Sequence, residues 1–207
     1  MRRFILLLAV FGCLQAPSFA DTLTVDSTSD IFLAGLTTVP TLPGTAGLGG
    51  AGQLPPAINV IAGETISLTA TGSFSCNPGC GSNGPDGLPV ITGYTGVFNV
   101  GNYSGPAFAL TGVFGGSSIT TPWSVFLVGS SAFLTVPDGA TQLYLGIPDG
   151  DNSGNVGDYS DNSGSFTVDF TISAAVPELS TWAMMLLGFL GLGVMAHRRR
   201  NAPGVGA

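Results

Sequence analysis

The sequence has no basic residue between Asp21 and Glu178, although all twelve of its acidic residues lie in that range. The five arginines stand at the two ends of the chain, and the single histidine, His197, stands beside the C-terminal ones. Such a domain repels the phosphate backbone of nucleic acids, which argues against nucleic acid as a partner. It also has no cation of its own, so acidic residues that cluster need solvent or an external cation.

The same absence removes most of the groups that catalysis needs. Hydrolytic triads and Cys–His pairs require an imidazole base, and His197 lies outside the acidic range. The chain has no lysine for a Schiff base or a P-loop. Two carboxylates can serve a glycosidase, but the sequence distinguishes no such pair. We expect a protein that is not an enzyme, and keep a small glycan-active enzyme as an alternative.

Charged residues make up only 8% of the chain and hydrophobic residues 44%, which is too apolar for disorder and too poor in helix formers for a bundle. Frequent Thr, Val, Phe, Ser and Gly favour strands and turns. Alternation along Phe166–Ile172 indicates a strand with one buried face. The fold class is therefore predicted to be all-β, an antiparallel β-sandwich or jelly roll. The predicted strands are Thr22–Val25, Ile58–Ile61, Thr65–Thr71, Val97–Val100, Phe108–Phe114, Ser124–Val128, Phe133–Val136, Gln142–Ile147 and Ser165–Ile172, with long loops at 35–56 and 77–89.

The two ends of the chain carry targeting signals. Residues 1–20 have a basic start, an apolar run and a small-residue close, which predicts a signal peptide cut before Asp21. A lipoprotein signal ending at Cys13 is the alternative. Near the other end, the apolar run Trp182–Ala196 has 15 residues, about 22 Å as a helix and short of the ~20 residues of a typical membrane span. The arginines after it would face the cytoplasm, which places the acidic domain outside.

The residues around that run carry a more specific signal. Pro177 and Glu178 are followed by Ser180–Met185, a Gly-rich apolar stretch and then Arg198, Arg199 and Arg200. This arrangement resembles the PEP-CTERM sorting tail, with Leu179 in place of the second proline. The resemblance implies recognition and cleavage by an exosortase, transient inner-membrane anchoring, and a place at the cell surface or in the exopolysaccharide matrix; an ordinary membrane anchor is the alternative. The expected organisation is a signal peptide (1–20), a β-sandwich domain (21–175), a sorting tail with a transmembrane helix (176–200) and a cytoplasmic tail (201–207).

Cys76 and Cys80 remain after the signal peptide is removed. An exported chain favours a disulfide, and the Asn77-Pro78-Gly79 turn lets the two sulfur atoms approach each other. A metal site built on the two cysteines is disfavoured, because no His or third Cys is available.

Four of the twelve acidic residues crowd into the stretch DGDNSGNVGDYSDNSGSF, residues 149–166. Calcium takes six to eight oxygen ligands, and this stretch offers carboxylates, amides and flexible backbone. Zn²⁺ and copper are disfavoured, because the domain lacks nitrogen ligands and has few soft ones. Residues 149–154 are similar to the first half of an EF-hand loop, but position twelve is Ser160 instead of Glu. A solvated Asn/Asp/Gly turn without an ion is the structural alternative.

The second half of that stretch, residues 158–166, resembles the calcium loop of the bacterial galactophilic lectin family (LecA-like). Residues 58–78 and 134–149 are similar to its early strands and its penultimate strand. The resemblance implies that Asp149, Asp161 and Asn162 bind Ca²⁺ through their side chains, and Cys76 and Asp158 through their backbone carbonyls. In that family two sugar hydroxyls complete the coordination. The loop is longer here by about five residues, and the domain has no counterpart of the family's sugar-binding His.

These observations predict an exported, calcium-dependent carbohydrate-binding protein associated with the cell surface or with exopolysaccharide. The alternative is a structural matrix or adhesion protein, in which the same calcium site only makes the loop rigid. The sequence identifies neither the sugar nor the oligomeric state.

Overall fold

The computed structural model describes residues 18–40, 50, 52–76, 79–150, 155–174 and 179–200. The chain forms two compact units, one ending at Ala174 and one beginning at Ala175. The N-terminal unit is built of β-strands and two 3₁₀ turns, and the C-terminal unit contains an α-helix.

The N-terminal unit contains two main sheets and a hairpin, and every pair of neighbouring strands is antiparallel. The strands of the first sheet are β1 (Ser18–Asp26), β3 (Thr65–Cys76), β4 (Gly81–Asn83), β9 (Ser131–Thr135) and β11 (Asn162–Ser173). Those of the second are β2 (Ala57–Asn59), β7 (Thr111–Gly115), β8 (Val125–Leu127) and β10 (Gln142–Gly146), and the hairpin joins β5 (Ile91–Tyr94) to β6 (Tyr103–Pro106). The first sheet has the order β1-β11-β3-β4, with β9 also paired to β3, and the second has the order β2-β10-β7-β8.

The two main sheets form a β-sandwich around a shared core. Alternate residues of β3 and β11, such as Leu68 and Phe166, are fully buried, and they pack in one cluster with Leu143 and Leu145 of β10. Burying each such side chain stabilises the fold by about 1.5–3 kcal/mol. The alternation seen in the sequence therefore reflects one sheet face turned towards the other sheet.

A second core lies apart from the sandwich core. It contains Phe32 and its neighbours in the 3₁₀ turn Ile31–Leu33, together with Tyr94 of β5, Tyr103 of β6 and Trp123. Val113 of β7 belongs to this cluster. Leu143 of β10 pairs with the next residue of β7, Phe114, and belongs to the sandwich core on the other face. The second sheet is therefore covered on both faces.

Eight of the nine predicted strands overlap strands of the structure, and the all-β class is confirmed. The prediction of a strand at Val97–Val100 is wrong, because Phe98 has a φ of 56° and the segment turns. The strands β4, β5 and β6 were missed, and β4 lies inside the region predicted as an irregular loop. Predictions for residues 41–49, 51 and 77–78 fall outside the described residues.

The C-terminal unit contains α1 (Leu179–Arg200), so the apolar run of the tail is helical. No helix in the described ranges is long and apolar enough to cross a membrane. The predicted transmembrane helix is therefore unsupported, since the apolar run ends at Ala196, before His197 and the arginines. Pro177 and Glu178 of the sorting motif, residues 1–17 of the signal peptide and residues 201–207 of the cytoplasmic tail lie outside the described residues.

The predicted disulfide between Cys76 and Cys80 is present, with an S–S distance of 2.02 Å and a Cα–Cα distance of 5.4 Å. It links the end of β3 to the turn that leads into β4. Since Cys76 is also a predicted calcium ligand, the disulfide fixes the chain next to the candidate site.

Candidate functional site

Three separate segments bring the predicted calcium ligands to one end of the first sheet. Asp149 follows β10 by three residues, Asn162 is the first residue of β11, and Cys76 is the last residue of β3. Asn162 and Cys76 are register partners in the antiparallel ladder. The pairing of β11 with β3 therefore places two of the predicted ligands opposite each other.

Two glycines allow β11 to approach β3 closely beside the site. Gly164 has a φ of 98°, and a Cβ atom there would lie 2.2 Å from the carbonyl oxygen of Ser73. Gly72 has a φ of 110°, and its Cβ would lie 2.4 Å from the carbonyl oxygen of Ser165. Only glycine tolerates this conformation at these distances, so both positions support the ladder that carries Asn162.

The side chains of Asp149 and Asn162 are in direct contact. Nδ2 of Asn162 donates to Oδ2 of Asp149 at 2.7 Å and to the carbonyl oxygen of Ser27 at 3.2 Å. Because both partners accept hydrogen bonds, the amide nitrogen must face them and the amide oxygen must face the other way. That oxygen, Oδ1 of Asn162, is buried and has no hydrogen-bond partner among the described residues. A buried oxygen without a partner is costly, which marks it as a position for a ligand.

Asp149 is itself buried, with 3% of its surface exposed. Its Oδ1 accepts a hydrogen bond from the backbone of Gly150 at 2.7 Å. The pKa of Asp149 is raised to about 7, mainly by burial. The hydrogen bonds from Asn162 and Gly150 lower this pKa, whereas the charges of Asp161 and Asp158 add to the rise. The charges of Asp158 and Asp161 therefore act on Asp149, and a cation bound between them would offset this repulsion.

Asp158 directly precedes a short turn, and Asp161 is the last residue of that turn. Asp158 has a left-handed backbone, with φ 70° and ψ 33°, and the 3₁₀ turn Tyr159–Asp161 follows it. Asp161 is partly buried, and its pKa is raised by burial and by the charge of Asp158. The turn ends at Asp161, and Asn162 follows as the first residue of β11.

Tyr159 was not predicted as part of the site, yet it lies at its centre and is 1% exposed. Its hydroxyl group accepts a hydrogen bond from the backbone N–H of Asp149 at 3.2 Å and donates to the carbonyl oxygen of Ile147 at 2.7 Å. Gly52 makes room for the ring, because a Cβ at that position would lie 2.8 Å from Cγ of Tyr159. Tyr159 thus ties the turn that carries Asp161 to the segment that carries Asp149.

Asp30 is a second buried acid that sequence reasoning missed. It is completely buried, and its Oδ1 accepts a hydrogen bond from the backbone of Phe32 at 2.8 Å. Oδ2 of Asp30 has no hydrogen-bond partner within the part of the chain that the structure describes. The nearby Tyr159 hydroxyl donates its proton to the carbonyl oxygen of Ile147 instead. Burial raises the pKa of Asp30 to about 8, and the charge of Asp149 contributes to the rise. The sequence signal was an acid directly before the apolar run Ile31–Leu33.

The donor set fits a hard cation. Within the described ranges, no three His, Cys, Asp or Glu side chains are grouped so that they could hold a metal ion. A cation would therefore need the amide oxygen of Asn162 and backbone carbonyl oxygens beside the carboxylates. Ca²⁺ accepts such a mixed oxygen shell, whereas Zn²⁺ and copper favour nitrogen and sulfur ligands. The EF-hand-like positions 151–154 lie outside the described residues.

The fold and the site together define a class: an all-β sandwich with a cluster of acidic residues where its last strand begins. A solved structure described as "EclA N-terminal domain; PllA-like lectin" is similar to this chain, with a TM-score of 0.40 and 19% sequence identity. The alignment covers 73% of this chain and 95% of that chain. No family model matches the sequence, and no curated protein matches it.

Proposed function

We propose that the protein binds Ca²⁺ at Asp149, Asp161 and Asn162 and uses the bound ion to hold a carbohydrate. The observation that carries the proposal is the buried Oδ1 of Asn162, which has no partner among the described residues and lies next to a buried carboxylate. The sequence from Asp21 to Glu178 offers no basic residue to either group. A bound Ca²⁺ would satisfy this oxygen and neutralise the repulsion among the three acids. The backbone carbonyl groups of Cys76 and Asp158 would complete the protein ligands.

The carbohydrate part follows from the coordination chemistry of the ion. Calcium takes more oxygen ligands than these residues supply, so some of its positions would be left to solvent. Two neighbouring hydroxyl groups of a sugar are neutral oxygens that can replace two such waters. Asp158 and Asp161 are only partly buried, which supports access from solvent to this end of the sheet.

Binding to a glycan array with millimolar calcium, and again with excess EDTA, tests this proposal. We expect calcium to add glycan binding that EDTA removes, because the ion is the sugar receptor at this site. If calcium raises the melting temperature but no glycan binds, the structural matrix role replaces the lectin role. If calcium neither stabilises the protein nor supports binding, both roles are wrong.

The proposal includes export to the cell surface or the exopolysaccharide matrix through an exosortase that recognises the tail. It is supported by the resemblance of Pro177, Glu178 and Arg198–Arg200 to the sorting signal, and by the helical unit that begins next to them. The intact mass of the exported protein tests it. Cleavage near Glu178 removes α1, whereas an exported protein that retains the arginines would contradict sorting by cleavage.

A further inference from the structure

An open cleft lies between two loop segments of the N-terminal unit, residues 96–102 and Thr121–Pro122. Its volume is ≈ 540 Å³, within the range of small-molecule sites. The ring of Phe98 is one of its walls, and Phe98 is 51% exposed. None of the residues that line the cleft is charged, and none belongs to the calcium site.

The backbone holds Phe98 in a conformation that aromatic residues rarely adopt. Its φ of 56° is left-handed, which is costly for a bulky side chain unless the surroundings fix it. Three backbone hydrogen bonds fix this loop: Val100 N–H to Val97 O at 3.0 Å, Gly101 N–H to Trp123 O at 2.8 Å, and Trp123 N–H to Asn99 O at 2.7 Å. The exposed ring therefore sits on a rigid support.

The polar groups of the cleft are also oriented. Oδ1 of Asn102 accepts a hydrogen bond from the backbone of Gly96 at 2.9 Å, which leaves the NH₂ group of Asn102 as a donor. The exposed Thr121 adds a hydroxyl group that both donates and accepts. The backbone at Gly96 packs closely against that of Gly101, because a Cβ at Gly96 would lie 2.2 Å from the carbonyl carbon of Gly101. The cleft is preformed, with one apolar wall and two polar groups.

We propose that this cleft is a second carbohydrate site, which binds a neutral pyranose without calcium. The apolar C–H face of the sugar would stack on the ring of Phe98, and its hydroxyl groups would bond to Asn102 and Thr121. A neutral ligand fits an uncharged cleft, and the acidic domain disfavours anionic sugars. The site goes beyond the proposed calcium function, because none of its groups is a calcium ligand. Two sites would let the protein bind one polysaccharide chain at two points.

Retention of the exported protein on immobilised neutral polysaccharides (dextran, galactan and cellulose) in excess EDTA tests the site. The wild-type protein should be retained by at least one of them, and Phe98→Ala should weaken retention by roughly tenfold, the loss of one stacking contact. Phe98→Trp keeps an aromatic face and should restore binding. Phe133→Ala is the matched control, because Phe133 is 73% exposed on β9 and does not line the cleft.

The proposal is overturned if the wild-type protein is not retained in EDTA, or if Phe98→Ala and Phe133→Ala behave alike. If Phe98→Ala does not fold, two other variants test the cleft. Phe98→Trp must then bind the polysaccharide, and Thr121→Val must bind it more weakly than the wild type. These outcomes are independent of the calcium site. Failure of the calcium site removes the binding that depends on calcium, whereas failure of the cleft removes the binding that persists in EDTA.

Discussion

Asp149→Asn is expected to abolish the stabilisation of the protein by calcium. The variant keeps the shape of the side chain but removes the buried carboxylate, one of the two that would bind the ion. Extracellular calcium sites have dissociation constants of about 10⁻⁴–10⁻³ M, so a calcium concentration ten to a hundred times higher stabilises the folded state by about 1.4–2.7 kcal/mol. For a domain of this size that raises the melting temperature by roughly 3–10 °C.

The melting temperature measured with calcium and with EDTA checks this prediction. In EDTA the variant should be at least as stable as the wild type, because it no longer buries a carboxylate without a counter-ion. Asp138→Asn makes the same charge change at an exposed turn and should leave the calcium response intact. Tyr159→Phe removes the hydroxyl that holds the backbone of Asp149 and should weaken the response. An Asp149→Asn variant that responds to calcium like the wild type would contradict the assignment.

Without calcium, the stability of the protein is expected to fall as the pH rises from about 4 to about 8. Burial raises the pKa of Asp149 from 3.8 to about 7 and that of Asp30 from 3.8 to about 8. Between these values the folded protein holds protons that the unfolded chain has released, so raising the pH favours unfolding. The stabilisation is complete below pH 4 and is lost as the pH passes through the folded-state pKa values. At about 1.4 kcal/mol per pKa unit, the two shifts set an upper value of about 10 kcal/mol for the decline.

Melting temperatures across this pH range in EDTA check the decline. Asp30→Asn should remove much of it, since the amide has no proton to release, and Asp138→Asn should leave it unchanged. Calcium should flatten the curve, because the ion binds the ionised form of Asp149. A melting temperature in EDTA that is constant or rises from pH 5 to pH 8 would show that these carboxyl groups are not buried as the structure has them.

The fold was predictable where a strand carries a regular pattern. Phe166–Ile172 alternates strictly and lies within β11, but the strand begins earlier, at Asn162, because Cys76 of β3 pairs with it there. The short strands β4 and β6 contain Gly, Ser, Asn and Pro, so their pairing depends on neighbouring strands and no local pattern reveals it. At Val97–Val100 the apolar residues predicted a strand, but the backbone forms a turn there.

The candidate site was predictable in part. The local crowding of acids singled out the stretch 149–166, and the resemblance to the lectin calcium loop singled out Asp149, Asp161 and Asn162 within it. The structure brings Asp149 and Asn162 into contact. Asp30 could not be assigned to the site, because more than a hundred residues separate it from Asp149. The two acids are brought together by the bridge between Asp30 and Ile147 and by the packing of Tyr159, which no local sequence pattern reveals. Tyr159 was inside the quoted stretch, but an aromatic residue there is equally compatible with a solvent-exposed loop.

A crystal structure of the protein grown in calcium tests the central proposal most directly. The account predicts one ion within about 2.3–2.6 Å of both a carboxylate oxygen of Asp149 and Oδ1 of Asn162, with Asp161 in the same shell. An amide of Asn162 whose oxygen faces no ion in saturating calcium, or an ion bound elsewhere on the domain, would contradict it.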